Sequence, residues 1–424
     1  MTPRRAAVLS VGDELVLGSA LDTNGREVAA ALRDAGLDCA EHRTVGDDMP
    51  ALVAALRELA AAHAVLVVTG GLGPTEDDLT REAVNALSDA GAPMTEDAQG
   101  RADLERWFAG RGRAMAPNNL RQALRPRSAR TLRNANGTAP GFACAIGACT
   151  VFCLPGPPRE MLPMLHEQVV PAVRAPGAPA IVRASVGTFG IGESDLAHRL
   201  GNLMERGREP GIGTTASGSV VSIHATARGA DAAARAQAAL AECAQRVVPY
   251  AFGPPEAGIA AASLESLRAA GATLAVAESC TGGLVGSMLT AVAGASDCFL
   301  GGWISYANAM KERELGVPAA TLATAGAVSR ETALAMAQGA AARAGATHAL
   351  AITGIAGPGG ATEGKPVGTV WIALHDARTG AGRARRFEFP GPREVVRDRA
   401  SKAALQMLRW HLRGEDAPII WERA

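Results

Sequence analysis

Apolar residues fall into short runs that alternate with segments of helical spacing. In the first part of the chain, 7–11 reads as a buried strand, 24–35 as a helix, 38–45 as a strand and 49–62 as a second helix. A strongly apolar strand at 64–69 is broken by Gly70-Gly71-Leu72-Gly73-Pro74, and a helix follows at about 79–90. Further strands lead to 151–154, which Pro155-Gly156-Pro157-Pro158 ends before a closing helix over 160–173. Such alternation predicts a parallel sheet covered by helices.

The Pro/Ala/Gly stretch 175–179 suits a linker. Beyond it, strands are predicted at 181–188 and 220–227, with helices at 194–204 and 230–247. Gly253-Pro254-Pro255 marks the next boundary, after which a helix from Ile259 and a strand at 273–277 open an alternation that runs to Trp410. The expected fold is α/β in three units: residues 1–174 with a parallel or mixed sheet, a small α/β unit at 180–253, and an α/β unit at 258–414.

The length of 424 residues is ample for several cores at about 100–200 residues per domain. Lys+Arg and Asp+Glu both total 42, so no net field draws the whole chain to nucleic acid or an acidic membrane. No apolar run approaches the ~18 residues of a membrane span. Arg4 and Arg5 precede an apolar run that Asp13 and Glu14 end too soon for a signal peptide. Seven scattered cysteines do not resemble a secreted disulfide framework, so a cytoplasmic protein is expected. Only three of the basic residues are lysine: Lys311, Lys365 and Lys402. In so Arg-rich a chain, a retained Lys fits a need for what Arg cannot do, which is to lose its proton; chance retention is the equal alternative.

The strand at 273–277 runs into Glu278-Ser279-Cys280-Thr281-Gly282-Gly283, and a helix begins near Leu284. A hydroxyl at this strand end can serve as a nucleophile, and free helix N–H groups can hold a phosphate or an oxyanion. The same letters also fit a Ser cap and a tight turn. Tyr306-Ala-Asn308-Ala-Met-Lys311 supplies a lysine that can act as general base for a serine. A second strand-end loop, Thr353-Gly354-Ile-Ala-Gly357-Pro-Gly359-Gly360, completes a pattern suited to a phosphorylated ligand.

With Leu315-Gly-Val317 and Gly326-Ala-Val-Ser329, these motifs make residues 259–412 resemble the CinA C-terminal domain, a nicotinamide mononucleotide (NMN) deamidase. The resemblance implies that Ser279 attacks the carboxamide carbon of NMN, Lys311 takes the Ser proton, and no metal is required. It places Thr281, Gly282, Gly283, Thr353, Gly354, Gly357 and Gly359 against the nucleotide, with Tyr306 and Asn308 shaping the pocket. A late arginine is implied to bind the ligand; the candidates are Arg393 and Arg397, with Arg399 close by. Pro392 departs from the acidic residue usual in the family just before Arg393, and Arg397 and Arg399 also fit solvated helix charges.

In the first unit, residues 69–80 join a buried strand to a helix. Gly70, Gly71, Gly73, Thr75 and Asp78 form a candidate nucleotide site, with Asp77 and Asp78 as candidate metal ligands; a helix capped by Thr75 is the equal alternative. Val11-Gly-Asp-Glu-Leu15, Asp22-Thr-Asn24, Asn134-Ala-Asn-Gly-Thr-Ala-Pro-Gly141 and Leu154-Pro-Gly-Pro-Pro-Arg-Glu-Met161 resemble the molybdopterin-binding fold, in the form it takes at the N-terminus of CinA proteins. Leu72 stands where molybdopterin-processing members carry Thr, which argues against cofactor biosynthesis. The resemblance implies ADP-ribose pyrophosphatase activity with a divalent metal and potassium, Asp78 being the first metal or phosphate contact and Asp47 its weaker companion.

Phe189-Gly-Ile-Gly192 reads as a structural turn, since the segment lacks a basic stripe and stacking aromatics. The continuation Thr214-Thr-Ala-Ser217 departs from the family, which carries Tyr-Pro near this strand. Cys144, Cys149 and Cys153 read as small buried hydrophobes, and Cys280 as a second-choice nucleophile. None of the eight histidines has a catalytic or metal-ligand spacing. The expected function is NMN amidohydrolysis without a cofactor. The alternatives are ADP-ribose hydrolysis in the first unit and a nucleotide-binding regulatory role linked to competence or damage. Expected partners are small nucleotides, with neither nucleic acid nor membrane; the resemblance implies a homodimer.

Overall fold

The structure, a computed structural model, describes residues 5–174 and 181–423, so the expected linker at 175–179 lies outside the described residues. The chain forms two compact units: one runs up to Ile181 and includes Arg228–Ala230, the other comprises Val182–Ala227 and the chain from Asp231 onward.

The first unit is built on a six-stranded sheet ordered Asp38–Val45, Arg5–Val11, Val65–Thr69, Cys149–Leu154, Gly141–Ile146, Arg130–Leu132. The first four strands are parallel and the last two turn antiparallel. Every residue of Val65–Thr69 is buried, as a central strand covered on both faces requires. Leu52, Leu56 and Leu59 of helix Met49–Ala62 cover one face; Val28 and Leu32 of helix Asn24–Asp34, with Met161 and Leu165, cover the other. The helix expected over 160–173 begins at Pro158 and is interrupted by a π-turn, Leu165–Val169. Pro163 and Pro171 lack the N–H that an unbroken α-helix needs, and the wider turn lies between them.

The second unit holds two sheets. The smaller is ordered Gly211–Ser217, Val220–Arg228, Ile181–Thr188, Ala251–Gly253. Its first strand contains the drifted Thr214–Ser217 run, paired antiparallel with Val220–Arg228. The larger is ordered Phe299–Ile304, Leu274–Glu278, His348–Gly354, Thr369–Asp376, Ala381–Glu388, Glu422–Arg423. Its first three strands are parallel and the others antiparallel. From Leu274–Glu278 the chain crosses first to one neighbour and later to the other, which opens a crevice at the C-terminal ends of three strands. Residues 279, 305 and 353 arrive there together.

Helices Gly258–Ala269 and Arg393–Arg413 cover one face of this sheet, and the Ala-rich helix Arg330–Ala344 covers the other. One apolar core runs from Phe189, Leu240 and Phe252 of the smaller sheet region into Leu264, Leu405 and Trp410. Trp410 Nε1 donates to Pro249 O at 2.7 Å, and Tyr250 Oη donates to Pro418 O at 2.9 Å. Among the described residues no helix is long and apolar enough to cross a membrane.

Candidate active site

Strand Leu274–Glu278 is wholly buried and delivers Ser279 to the crevice. Ser279 N donates to Ile352 O at 2.9 Å, which fixes the residue against the neighbouring strand. Gly282 and Gly283 follow with φ of 61° and 90°, left-handed values that a residue with a Cβ rarely adopts, and the chain turns into helix Leu284–Thr290. The start of that helix is already satisfied. Val285 N and Gly286 N donate to the buried Glu278 carboxylate at 3.1 and 2.9 Å, so these donors are not free for a ligand. Among the described residues, the N–H groups of Thr281 and Gly283 have no acceptor, the Cys280 N–H faces its own sulfur, and Thr281 Oγ1 is buried without a partner.

Lys311 lies on helix Asn308–Leu315 and is 1% exposed. Its Nζ is 3.2 Å from Ser279 Oγ, 2.9 Å from Ser305 O and 3.1 Å from Tyr306 O. A neutral amine has two hydrogens and one lone pair. With both hydrogens on the two carbonyls, the lone pair faces the Ser279 hydroxyl, which is the geometry of a base on a nucleophile. Burial holds the Lys311 ammonium below the usual lysine range, with nearby Cys280 opposing the shift. Burial pushes the Cys280 thiol up to about 12, so at neutral pH this sulfur is not a thiolate nucleophile.

Two arginines four residues apart on helix Arg393–Arg413 hold the two glycine loops. Arg397 donates to Thr281 O through Nη2 at 2.7 Å, and Arg393 donates to Gly357 O at 2.9 Å and Tyr306 Oη at 3.3 Å. Arg399 points elsewhere, donating to Ser219 Oγ at 3.0 Å and stacking on Trp421. The Thr353 hydroxyl is turned to Ala327 O at 2.7 Å, and Gly354 is packed within the sheet against Val370. Gly357 backs onto Val367, Gly359 faces open space, and Tyr306 and Asn308 are exposed at the rim.

In the first unit, Gly70, Gly71, Gly73, Asp47, Asp77 and Asp78 line a cavity of about 360 Å³ together with Glu14 and Glu160. Asp78 braces the loop from within. Its carboxylate accepts from Gly73 N at 2.7 Å, Thr75 N at 2.9 Å and the Thr75 hydroxyl. The buried Arg81 grips the loop from behind, donating to the carbonyls of Leu72 and Gly73, and burial lowers its pKa to about 10. Asp47 accepts from Asp13 N at 3.0 Å; burial, and then the charges of Asp13, Asp77 and Glu14, hold its carboxyl above the usual range. Negative charges crowded in this way suit a divalent cation, with Asp47 and Asp77 freer to ligate than Asp78.

Residues 256–412 match the family described as the CinA C-terminal domain, 7–175 match the probable molybdopterin binding domain, and 184–253 match the damage-inducible protein CinA KH domain. A CinA-like protein of Geobacter sulfurreducens is 44% identical over 96% of this chain and 99% of its own length. This chain belongs to the CinA family. A putative competence-damage inducible protein of Symbiobacterium thermophilum is 42% identical over 96% of this chain and 99% of its own. Among solved structures, the competence/damage inducible protein CihA of Agrobacterium tumefaciens is 40% identical and covers 38% of this chain and 98% of its own, with a TM-score of 0.36.

In this CinA chain the Gly190–Gly192 turn of the KH-type region is backed by Ile419 and Ile420, and Ile420 N donates to Gly190 O at 2.9 Å. Three residues that build the two sites escape a reading of the letters: Glu278, Arg81 and Ser305. Glu278 adjoins Ser279 in sequence, so an acid before a helix start is the available signal. Ser305 contributes a backbone carbonyl, which no side-chain pattern encodes.

Proposed function

We propose that this CinA-family chain hydrolyses the carboxamide of NMN to nicotinic acid mononucleotide and ammonia. The observation that carries this reading is the buried Lys311 amine, bound to two carbonyls and facing Ser279 Oγ at 3.2 Å. Ser279 Oγ attacks the carboxamide carbon while its proton passes to Lys311 Nζ. The N–H groups of Thr281 and Gly283, which have no acceptor of their own, are available donors for the tetrahedral oxyanion. Collapse of the intermediate expels ammonia, which takes the proton from Lys311 and leaves a nicotinoyl ester on Ser279. Water, deprotonated by Lys311, then cleaves the ester and restores the serine. Arg393 and Arg397 each keep guanidinium N–H groups beyond those given to the loop carbonyls, which suits them to the NMN phosphate.

A second reading rests on the acid-lined cavity of the first unit: metal-dependent hydrolysis of ADP-ribose to AMP and ribose 5-phosphate. Asp47 and Asp77 would hold the divalent cation, whose role when bound is to neutralise the pyrophosphate charge. The residues of the loop itself bind and orient the phosphates. A cytoplasmic location and a homodimer belong to the same proposal. One experiment separates the readings: ammonia release from NMN, with chelator present, by the wild type, Ser279→Ala and Lys311→Arg. The amidase reading expects turnover in the wild type and a loss of at least about 10³-fold in both variants. No ammonia from the wild type overturns it, and ADP-ribose turnover with added Mg²⁺ that falls in Asp77→Asn would then carry the second. A purely regulatory nucleotide binder would keep NMN affinity in Lys311→Arg without any turnover in the wild type.

A further inference from the structure

His348 opens strand His348–Gly354, and Asp376 closes its antiparallel neighbour Thr369–Asp376. The two residues stand directly opposite in register, so their side chains share a face of the sheet. His411, in the last turn of helix Arg393–Arg413, comes down on the same face. His348 Nε2 is 3.8 Å from Asp376 Oδ1, His411 Nε2 is 3.4 Å from Asp376 Oδ2, and one ligand atom from each residue lies within 4.8 Å of the others.

The surrounding hydrogen bonds orient these groups. Thr347 Oγ1 donates its single proton to Thr273 O at 2.9 Å, and it accepts from Thr273 N at 2.8 Å. Towards His348 Nδ1, 2.9 Å away, that oxygen can only accept, so Nδ1 carries the proton and the neutral ring presents a bare Nε2. Its lone pair then faces a carboxylate oxygen 3.8 Å away, an arrangement that a shared cation, a proton or a metal ion, relieves. Asp376 is oriented in turn by Arg378 N, which donates to Oδ1 at 2.9 Å. The Arg378 guanidinium itself is turned to Ala270 O and Gly271 O, so the carboxylate's other partners are the Thr379 hydroxyl and the His411 ring. An imidazole fixed through its other nitrogen, beside a hydrogen-bonded carboxylate, is the outer arrangement of a metal centre.

The geometry points to a divalent-metal site formed by His348 Nε2, Asp376 and His411 Nε2, which takes Zn²⁺ or a similar late first-row ion and leaves a fourth position to water. Two imidazoles and one carboxylate are the donors such ions prefer over Mg²⁺ or Ca²⁺. Tetrahedral zinc ligands sit about 3.3 Å apart; here Asp376 stands 3.4 and 3.8 Å from the two imidazole nitrogens, and the half-exposed His411 ring can move inward to close the set. His348 pairs with Leu274 at the start of the strand whose far end delivers Ser279, so the two sites are separated by about 16 Å of strand. The ion therefore takes no part in the amide chemistry. It clips the end of helix Arg393–Arg413 to two strands, and the inference stands apart from the amidase reading.

The test uses the full chain, stripped with chelator and then dialysed. Co²⁺ is titrated while its visible d–d absorption is followed, and Zn²⁺ while thermal unfolding is followed, for the wild type, His411→Gln and Asp376→Asn. The expected result is one equivalent of Co²⁺ with an absorption band typical of nitrogen ligation and a rise in Tm with Zn²⁺. His411→Gln, altered at a half-exposed position that folding tolerates, lowers Co²⁺ affinity by at least about tenfold and removes the Tm rise. A wild type with no such band, or variants that bind Co²⁺ and respond to Zn²⁺ as the wild type does, would overturn the proposal and leave an ion-paired triad.

Discussion

At Ser279 and Lys311 the proposed amidase chemistry depends on which state of one amine the fold favours. Burial disfavours the Lys311 ammonium, so its proton leaves below the usual lysine range of about 10.4. Only the neutral amine can accept the Ser279 proton. kcat/KM for NMN is therefore expected to rise with pH as a single proton is lost and to level off above that pKa, which a pH–rate profile reads directly. A rate that falls over this range would exclude Lys311 as the base. Much of this site is legible in the letters: a hydroxyl after an apolar strand, a glycine pair, and a lysine kept where arginine is the rule. Glu278 is not, because its effect comes from the carboxylate folding over the next helix to take two N–H groups. Nor are His348, Asp376 and His411, which are far apart in sequence and meet only through strand register and the landing of one helix.

Among the elements, the helix that carries Lys311 owes its position to a close approach. A Cβ at Gly339, midway along helix Arg330–Ala344, would overlap the Leu315 carbonyl at the end of helix Asn308–Leu315. Gly339→Ala must push the two helices apart and is expected to cost about 1–3 kcal/mol of stability. It should also lower kcat while NMN binding changes less, because the Lys311–Ser279 distance grows. Denaturant unfolding together with a KM-against-kcat comparison checks both parts. The strands are the elements most legible in sequence, since all-apolar runs such as 65–68 suit a sheet covered on both faces. Helix ends are less so. The break at Leu165–Val169 depends on how two prolines share one wide turn, which periodicity does not resolve.

Across the second unit, the small sheet and the larger one are joined along helix Arg393–Arg413 and the Pro418–Ile420 segment that follows it. Trp410 meets Tyr250 edge-on at 5.7 Å and hydrogen-bonds Pro249 O, while Arg409 Nη2 reaches Pro249 O and Ala251 O at 2.7 Å each. A core continuous across both sheets is expected to unfold in one step, and Trp410→Ala should destabilise both together by about 3–5 kcal/mol. Hydrogen exchange that releases 182–253 well before the sheet around Leu274–Glu278 would contradict this. The scarcity of lysine has a consequence of its own for the molecule as a whole. Grown on lysine carrying ¹³C at Cε, the full chain yields three ε-methylene resonances, for Lys311, Lys365 and Lys402. Lys311 is the buried one of the three, so its signal stands apart and drifts with pH as the amine changes charge. The protein thus carries a built-in spectroscopic reporter on its proposed base, readable in an unmutated sample.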